Sequence, residues 1–471
     1  VEVRSIELTD ITAKIKRLLP DTTFNFQFIV DAFAPAQPTP VDTAAAQMQM
    51  NIDDVILNNV RVVYKDIVTG NDMVAHVAHL DAAIDTFNIY TPQYDIATLN
   101  VKGLQTVFKQ AKPLAPVEPM SKAVADAAEP IPLKLNIGQV NLDDVKVDYS
   151  NALSALYTSF NIDKLVLDGR RLDLQNNVVH LDELRLDNTA SVIRIGKPET
   201  ADIIKKEVTQ EVAAQQQNNW VIRADRLRIN NNSIQFDNDN ERPTSYGMDY
   251  AHLKADDLTL HIDNVVFNAD SIGGLITRGE MKEKSGFVLN SLQADLLYAN
   301  NQSYIKNLYL KTPGTELRRD LVLEYESYDA LINRFENTVM DVDIANSYVQ
   351  VKDILMFAPQ LRGNPAFSRP NEVWRMNIKG SGSMERLYVE ALQFSGLSNT
   401  VIDASGTLTD ITDPNAAGGN LTIRRLHTTK SDIKLFAGNA LPEDQLNLPQ
   451  SIDVRGTLAG NMRNLATDLH I

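Results

Sequence analysis

At 471 residues the chain is long enough for about three ordinary domains, and 44% hydrophobic content supplies a large buried surface. Its formal charge of −16, from 61 acidic against 45 basic residues, argues against a nucleic-acid partner, because nothing offsets phosphate repulsion. The absence of cysteine excludes disulfides, thiolate zinc sites and a cysteine nucleophile. It fits either a reducing cytosol or an exported protein. No run approaches the roughly 18 apolar residues of a membrane helix, and no signal peptide is visible.

In chain order, Val1 to Leu8 (VEVRSIEL) alternates like a strand. Thr9 or Asp10 can cap a short helix with Ile11, Ile15, Leu18 and Leu19 on one face, stopped by Pro20. Thr23 to Phe33 (TFNFQFIVDAF) reads as a strong strand, with Phe24, Phe26, Phe28 and Val30 on one face. The proline-rich residues 34–43 connect it to the first repeat, so 1–49 is an N-terminal strand-helix-strand element. Residues 50–132 are that first β repeat and a linker, the linker holding five prolines and an Ala-rich stretch over 120–128. Residues 133–218 are a second repeat. Its end, Thr200 to Gln217, is an amphipathic helix of mixed charge with Ile204, Val208 and Val212 four apart, suited to covering a sheet edge. Residues 219–312 form a third repeat. The rest, 313–471, continues as strands with glycine at turns or bulges: Ile378-Lys379-Gly380, Val401 to Leu408, Ile452 to Gly456. Within it Tyr325 to Phe335 reads as a short helix, and Val339 to Phe357 as strand with an apolar ILMF patch. The chain starts mid-pattern at Val1 and stops inside an alternating run at Ile471, which suggests a piece of something longer.

The repeats rest on one motif. Leu57 to Tyr64 (LNNVRVVY), Leu142 to Tyr149 (LDDVKVDY) and Ile229 to Phe236 (INNNSIQF) each place two turn-forming Asn or Asp residues before alternating apolar ones. Their terminal aromatics at 64, 149 and 236 are 85 and 87 residues apart (149 − 64 and 236 − 149). A second echo agrees: Tyr94 to Val101 (YDIATLNV) matches Val179 to Leu186 (VHLDELRL), and Ser303 to Leu310 (SYIKNLYL) reads as a third copy. A repeat this long is a supersecondary unit of several strands. The expected fold is all-β, elongated and repeating, of mostly antiparallel strands with a few short peripheral helices.

A search for chemistry returns no enzyme. His76 and His79 are three apart, which puts them on opposite faces of a regular strand and argues against a shared metal. Asp237 to Glu241 (DNDNE) resembles the start of a calcium loop, but Arg242 stands where the sixth-position glycine belongs and Met248 where the twelfth-position glutamate belongs. Gly380 to Ser383 lacks nucleophile-elbow spacing, and no phosphate loop or dinucleotide fingerprint is present. No cofactor or metal is expected. What remains is alternation, which demands that an apolar face be hidden. Periodicity does not separate a closed sandwich core from a lipid-lined groove.

The run DTTFNFQFIVDAFAP, the repeated LxxVxVxY strands and the late IxxxG-type strands together resemble the TamB branch of the AsmA-like proteins. That resemblance implies a curved, taco-like β-groove with an apolar interior. It implies a periplasmic segment of a Gram-negative envelope protein, tied to the inner membrane by an N-terminal helix lying outside this sequence. The implied partners are phospholipid, shielded in transit between inner and outer membrane, and a TamA-type outer-membrane barrel. The implied roles are lipid transfer and outer-membrane biogenesis. The family carries no catalytic signature, so lining residues are chosen from strand-internal apolar positions: Phe24, Phe26, Phe28, Val60, Val62, Tyr64, Val145, Val147, Tyr149, Leu184, Leu186, Ile234, Phe236, Leu308 and Leu310. Two alternatives stay open. One is a scaffold or chaperone for barrel assembly that pairs its sheet edge with incoming strands, without lipid transport. The other is an adhesin or carbohydrate-binding repeat protein, weakened because only Trp220 and Trp374 are available as aromatic platforms of that kind.

Overall fold

The computed structural model describes residues 4–20, 23–28, 52–88, 93–111, 134–173, 176–197, 220–397, 399–413, 416–437, 448–461 and 463–471. The proline-rich segments, the Thr200–Gln217 helix, Val30 and Val1 lie outside these residues. The fold is all-β, and the described residues group into two compact units: unit 1 takes those up to Pro243 and Ala251–Leu258, and unit 2 takes Thr244–Tyr250 and those from Thr259 on, so the main division falls at Leu258/Thr259. That division lies inside the third predicted repeat.

Unit 1 holds β1 (Ser5–Thr9), β2 (Thr12–Arg17), β3 (Asp54–Asp66), β4 (Asn71–Asn88), β5 (Gln93–Gln110), β6 (Lys134–Asn151), β7 (Leu156–Asp173), β8 (Val178–Asp187), β9 (Ala190–Ile195) and β10 (Val221–Asn238). The pairs β3–β4, β4–β5, β6–β7 and β7–β8/β9 are antiparallel. The pairs β1/β2–β3, β5–β6 and β8/β9–β10 are parallel. The repeat is therefore a three-stranded meander, and consecutive repeats meet in a parallel pair. A parallel neighbour needs a long return connection. Residues 112–133 and 198–219 supply it.

The Asn and Asp residues of the motif are not turns between strands. Asn59, Asp144 and Asn231 sit inside long strands with φ of 49°, 52° and 53°. Asp10 (φ 56°), Gly103 (64°) and Asn188 (47°) occupy the same register on β1/β2, β5 and β8/β9. Only Gly, Asn and Asp visit this left-handed region without much strain. Every strand running in this direction carries such a residue at the same level. The side chains form a ladder: Asn59 Nδ2 donates to Asp10 Oδ1 at 2.6 Å, Asn231 Nδ2 to Asn188 Oδ1 at 2.8 Å, and Asn188 Nδ2 to Asp163 Oδ2 at 2.9 Å.

Each left-handed residue shifts the alternation by one. In β3 the apolar face reads Leu57, then Val60, Val62 and Tyr64, so the three-residue step across Asn59 keeps all four on one side. The effect is that of a β-bulge, which adds a residue and bends the strand.

Two expectations fail here for reasons tied to this pattern. Residues 9–19 form no helix: Leu8 to Ile15 (LTDITAKI) is another copy of the motif, paired residue for residue with Leu57 to Tyr64. Phe24 to Phe28 is not a strand either. Phe24 makes one bridge to Arg17, the chain turns, and residues 27–28 are helical. Asn25 bonds Lys16 O through its backbone N–H (2.9 Å), Lys16 N through Oδ1 (2.8 Å) and Lys14 O through Nδ2 (2.9 Å). This local side-chain bonding overrides the extended propensity of the Phe residues.

Unit 2 begins with the second part of β11 (His252–Phe267), followed by β12 (Ser271–Glu283), β13 (Val288–Leu289), β14 (Ser291–Ala299), β15 (Gln302–Lys311), β16 (Glu316–Glu324) and β17 (Val339–Gln350). Then come β18 (Val373–Gly382), β19 (Arg386–Gly396), β20 (Thr400–Thr409), β21 (Gly418–Thr429), β22 (Ser451–Asn461) and β23 (Asn464–His470). From β12 onward neighbours are antiparallel. Left-handed Asn307 and Asn346 continue the bulge device at register shifts in β15 and β17. Later strands use glycine, as the sequence predicts. At Gly456 (φ 138°) an added Cβ would fall 1.8 Å from Asp468 O. The SYIKNLYL echo lies on β15, three strands past β12.

Three short helices occur among the described residues: α1 (Tyr328–Asn333), as expected, α2 (Val351–Phe357) and α3 (Lys430–Ala437). The ILMF patch belongs to α2 rather than to a strand. Val351 and Leu355 are among the most buried side chains, and Phe357 meets Phe287 edge-on at 4.9 Å. Every extensive strand–strand contact among the described residues is between ladder neighbours, so the strands of each unit are joined edge to edge.

Replacing Asn231 with Val should lower stability by about 1–2 kcal/mol, the cost of a β-branched residue in the left-handed region. Asn231→Gly should fall within a few tenths of wild type apart from its lost ladder bond, as measured by urea unfolding. Equal midpoints for Val and Gly variants would show that this backbone conformation is not imposed.

A candidate apolar binding face and cavity

The phase shift sorts side chains into rows that run across the strands of unit 1. One row is Leu8, Leu57, Leu80, Val101, Leu142, Leu165, Leu186 and Ile229. Beyond the kink lie Val60, Val77, Leu104, Val145 and Ile162. Next come Val62, Ala75, Thr106, Val147, Phe160, Ser191 and Ile234, and last Tyr64, Met73, Phe108, Tyr149, Thr158, Ile193 and Phe236. Cross-strand pairs of this kind are the unit of sheet stabilisation. The intervening positions on β6, Asp143, Asp144, Lys146 and Asp148, carry charge to the other face.

Most candidate lining residues of unit 1 fall on these rows. Val60 and Val145 are buried beside the kink; Val62, Tyr64, Val147, Tyr149, Leu186 and Phe236 are half-buried, and Ile234 is exposed. Leu184 stands one row before Leu186, between Leu167 and Leu227. Phe24 joins the edge through its ring, 6.3 Å from Tyr64, while Phe26 stacks on Phe24 at 5.3 Å. Phe28 is 70% exposed and belongs to no row. The rows mix buried positions (Val60, Val77, Val101 and Val145) with partly exposed ones, and together they run continuously across the strands of unit 1.

The kink also corrects the histidine reading. Because the phase shifts between Val77 and Leu80, His76 and His79 share the polar face. His76 Nε2 lies 3.0 Å from Asn59 Oδ1 and His79 Nδ1 lies 2.8 Å from Asn58 Oδ1. No group of side chains among the described residues could hold a metal ion. Asp237 to Glu241 ends β10 and forms a turn.

At the rim of unit 1, Asp66 is 1% exposed and anchors β2 to β3. It accepts from Arg17 Nε at 2.8 Å and from Arg17 Nη2, from Thr69 Oγ1 at 2.6 Å and from Val68 N at 3.0 Å. The Arg17 hydrogen bond holds its carboxyl well below the usual range, against the opposing effect of burial. Arg17 also lies over the Phe24 ring at 4.8 Å.

In unit 2 the apolar face encloses a cavity of about 450 Å³. Two cross-strand rows make its wall: Ile272, Tyr298, Ser303 and Leu323, and beside them Gly274, Leu296, Ile305 and Leu321. Ile262 and Val265 approach from β11. The missing side chain at position 274 lets Ile262 approach closely, since a Cβ there would come 2.7 Å from Ile262 Cγ2. At one end the Tyr325 hydroxyl is hydrogen-bonded with Ser303 and donates to Ala299 O at 2.6 Å. Tyr298 stacks on Tyr328 of α1 at 4.7 Å.

None of the sequence-chosen residues lines this cavity. Leu308 and Leu310 lie on the same strand as Ile305 but past the left-handed Asn307, on the other arm of the bend. The signal was present as alternation in SIGGLITRG and LVLEY, with glycine where a core strand carries bulk.

No family model, no curated protein and no solved structure matches the chain.

Asp66→Asn should cost about 2 kcal/mol, as for hydrogen bonds to a charged group. Because the folded carboxyl is more acidic than the unfolded one, this stabilisation is whole above about pH 3.9 and is lost as pH falls through the lower folded value. The gap between wild type and variant in urea unfolding should be flat from neutral pH to pH 5 and narrow only in stronger acid. A gap already closing at neutral pH would contradict the Arg17–Asp66 anchor.

Proposed function

We propose that the apolar face of each unit receives the acyl chains of phospholipid, and that the chain shields lipid in transfer between two membranes. The observation that carries this reading is the set of continuous apolar rows in unit 1, many of their side chains partly exposed, and, separately, the apolar cavity of unit 2. Keeping one methylene from water is worth roughly 0.8 kcal/mol, so an acyl chain needs a continuous apolar path. A cavity of about 450 Å³ falls within the ordinary range for small-molecule sites. A face left open along one side keeps a charged headgroup in water, which avoids the cost of burying it.

The resemblance to the TamB branch of AsmA-like proteins supports the same reading. It adds a periplasmic setting, an inner-membrane anchor beyond this sequence and a TamA-type barrel partner. The competing reading, strand pairing at an open edge, is disfavoured at β2. There Asn25 already occupies Lys14 O and the Lys16 backbone groups.

The test is native mass spectrometry of the purified chain with lipid extraction. Wild type should co-purify with phospholipid. Val147→Asp and Ile276→Asp should reduce the bound lipid severalfold while circular dichroism keeps its β signature. Leu296→Trp, which fills the cavity with apolar bulk, should displace lipid from unit 2 without adding charge. A wild-type chain that carries no lipid and takes up no labelled phospholipid would end this proposal.

A further inference from the structure

The polar face of unit 2 carries a second depression, of about 260 Å³, over β18 to β21. Two cross-strand rows line it: Arg375, Ser395 and Val401, and next to them Asn377, Gln393, Asp403 and Arg425. β21 is irregular at this point. Asp403 pairs with Arg425 and Ala404 with Ile423, so Arg424 is an extra residue, and both arginines stand exposed. Bulges of this kind re-aim side chains and are common beside functional sites.

The two arginines differ in what they do. Arg424 donates from Nε to Asp403 Oδ1 at 2.7 Å and from NH1 to Ser405 Oγ at 2.9 Å, so it compensates the one carboxylate of the depression. Arg425 makes no hydrogen bond or ion pair with any described residue, and neither does Arg375. They stand three strands and two residues apart, about 16 Å between backbones at the usual strand and residue spacings, and both line the same depression. Gln393 accepts from Asn377 Nδ2 at 3.0 Å, which leaves its own amide N–H groups as donors. The Ser395 hydroxyl is another.

We infer that this depression binds a phosphate group between Arg375 and Arg425. A planar carboxylate is satisfied by a single bidentate guanidinium. Two guanidinium groups arriving from opposite sides, with an amide and a hydroxyl between them, suit a tetrahedral oxyanion that accepts from several directions. In a chain of net charge −16, two uncompensated arginines sharing one depression also concentrate positive potential where the rest of the surface repels anions. The site lies on the face opposite the apolar rows and does not depend on the lipid reading.

Calorimetric titration of the full chain in low salt tests it, with inorganic phosphate in one arm. The other arm uses mixed phosphatidylglycerol–phosphatidylcholine vesicles, with pure phosphatidylcholine vesicles as the blank. Arg375→Ala/Arg425→Ala should weaken binding about tenfold or more, through the loss of two charge-assisted contacts. Arg375→Lys/Arg425→Lys should recover only part of it, because lysine keeps the charge and loses the fork. Arg455→Ala, an exposed arginine on β22 outside the depression, should leave binding unchanged. Binding of inorganic phosphate supports the site and assigns a soluble phosphate source. Binding confined to phosphatidylglycerol vesicles supports it and assigns a lipid headgroup. Wild type that binds neither, or an Arg375→Ala/Arg425→Ala variant that binds as wild type does, overturns the inference.

Discussion

One backbone conformation governs unit 1. A single residue near the middle of each strand that runs in one direction takes positive φ, and it changes which side chains face which way. Without it, alternation from Leu57 would send Val60, Val62 and Tyr64 to the polar side. With it, both arms of the bent strand present apolar residues to one face. The neighbouring strands must kink at the same level, since ladder partners share the register. Hence Asp10, Asn59, Gly103, Asp144, Asn188 and Asn231 align, and the antiparallel β4 and β7 pass the level at Ala78 and Asp163. Gly103 has a specific reason to lack a side chain: a Cβ there would sit 2.8 Å from the Ala78 methyl.

The polar residues at this level serve the fold as much as the apolar ones. Asn carboxamides carry both donor and acceptor, so they chain across parallel neighbours, as in Asn141 to Asn100 (2.7 Å) and on to Asp81 (2.8 Å). These bonds add to the backbone ladder in holding register between neighbouring strands. The most buried groups lie at the margins: Asp66 under Arg17, and in unit 2 Val351, Leu355, Leu397 and Asp432 around the short helical segments.

Much of this is legible in the sequence. The LxxVxVxY spacing already contains the three-residue step, and the strands it predicts are all present. The motif nonetheless suggests a turn between strands, because Asn-Asn and Asp-Asp pairs signal turns far more often than mid-strand kinks. That reading hides three further copies, Leu8 to Ile15, Val101 to Phe108 and Leu186 to Ile193, and makes the repeat look twice as long. The copies start at 8, 57, 101, 142, 186 and 229, so the steps are 49, 44, 41, 44 and 43. Phe24 to Phe28 misleads in the opposite sense: its alternation is real, but Asn25 bonds the edge of β2 and the segment turns. The cavity escapes the sequence because its wall is assembled from rows on four strands, and apolar periodicity along one strand does not say which strands close around a space.

The left-handed ladder also dictates how such a chain tolerates change in length. A residue gained or lost between Leu142 and Val145 would turn Val145, Val147 and Tyr149 toward solvent and bring Lys146 and Asp148 to the apolar side. The same gain or loss in residues 112–133 or 198–219 leaves every phase intact. A change of length is therefore expected to be far more disruptive inside the strands than an exchange of one aliphatic residue for another. Substitutions can accumulate until little identity remains, yet the count of residues from each apolar row to the next stays fixed.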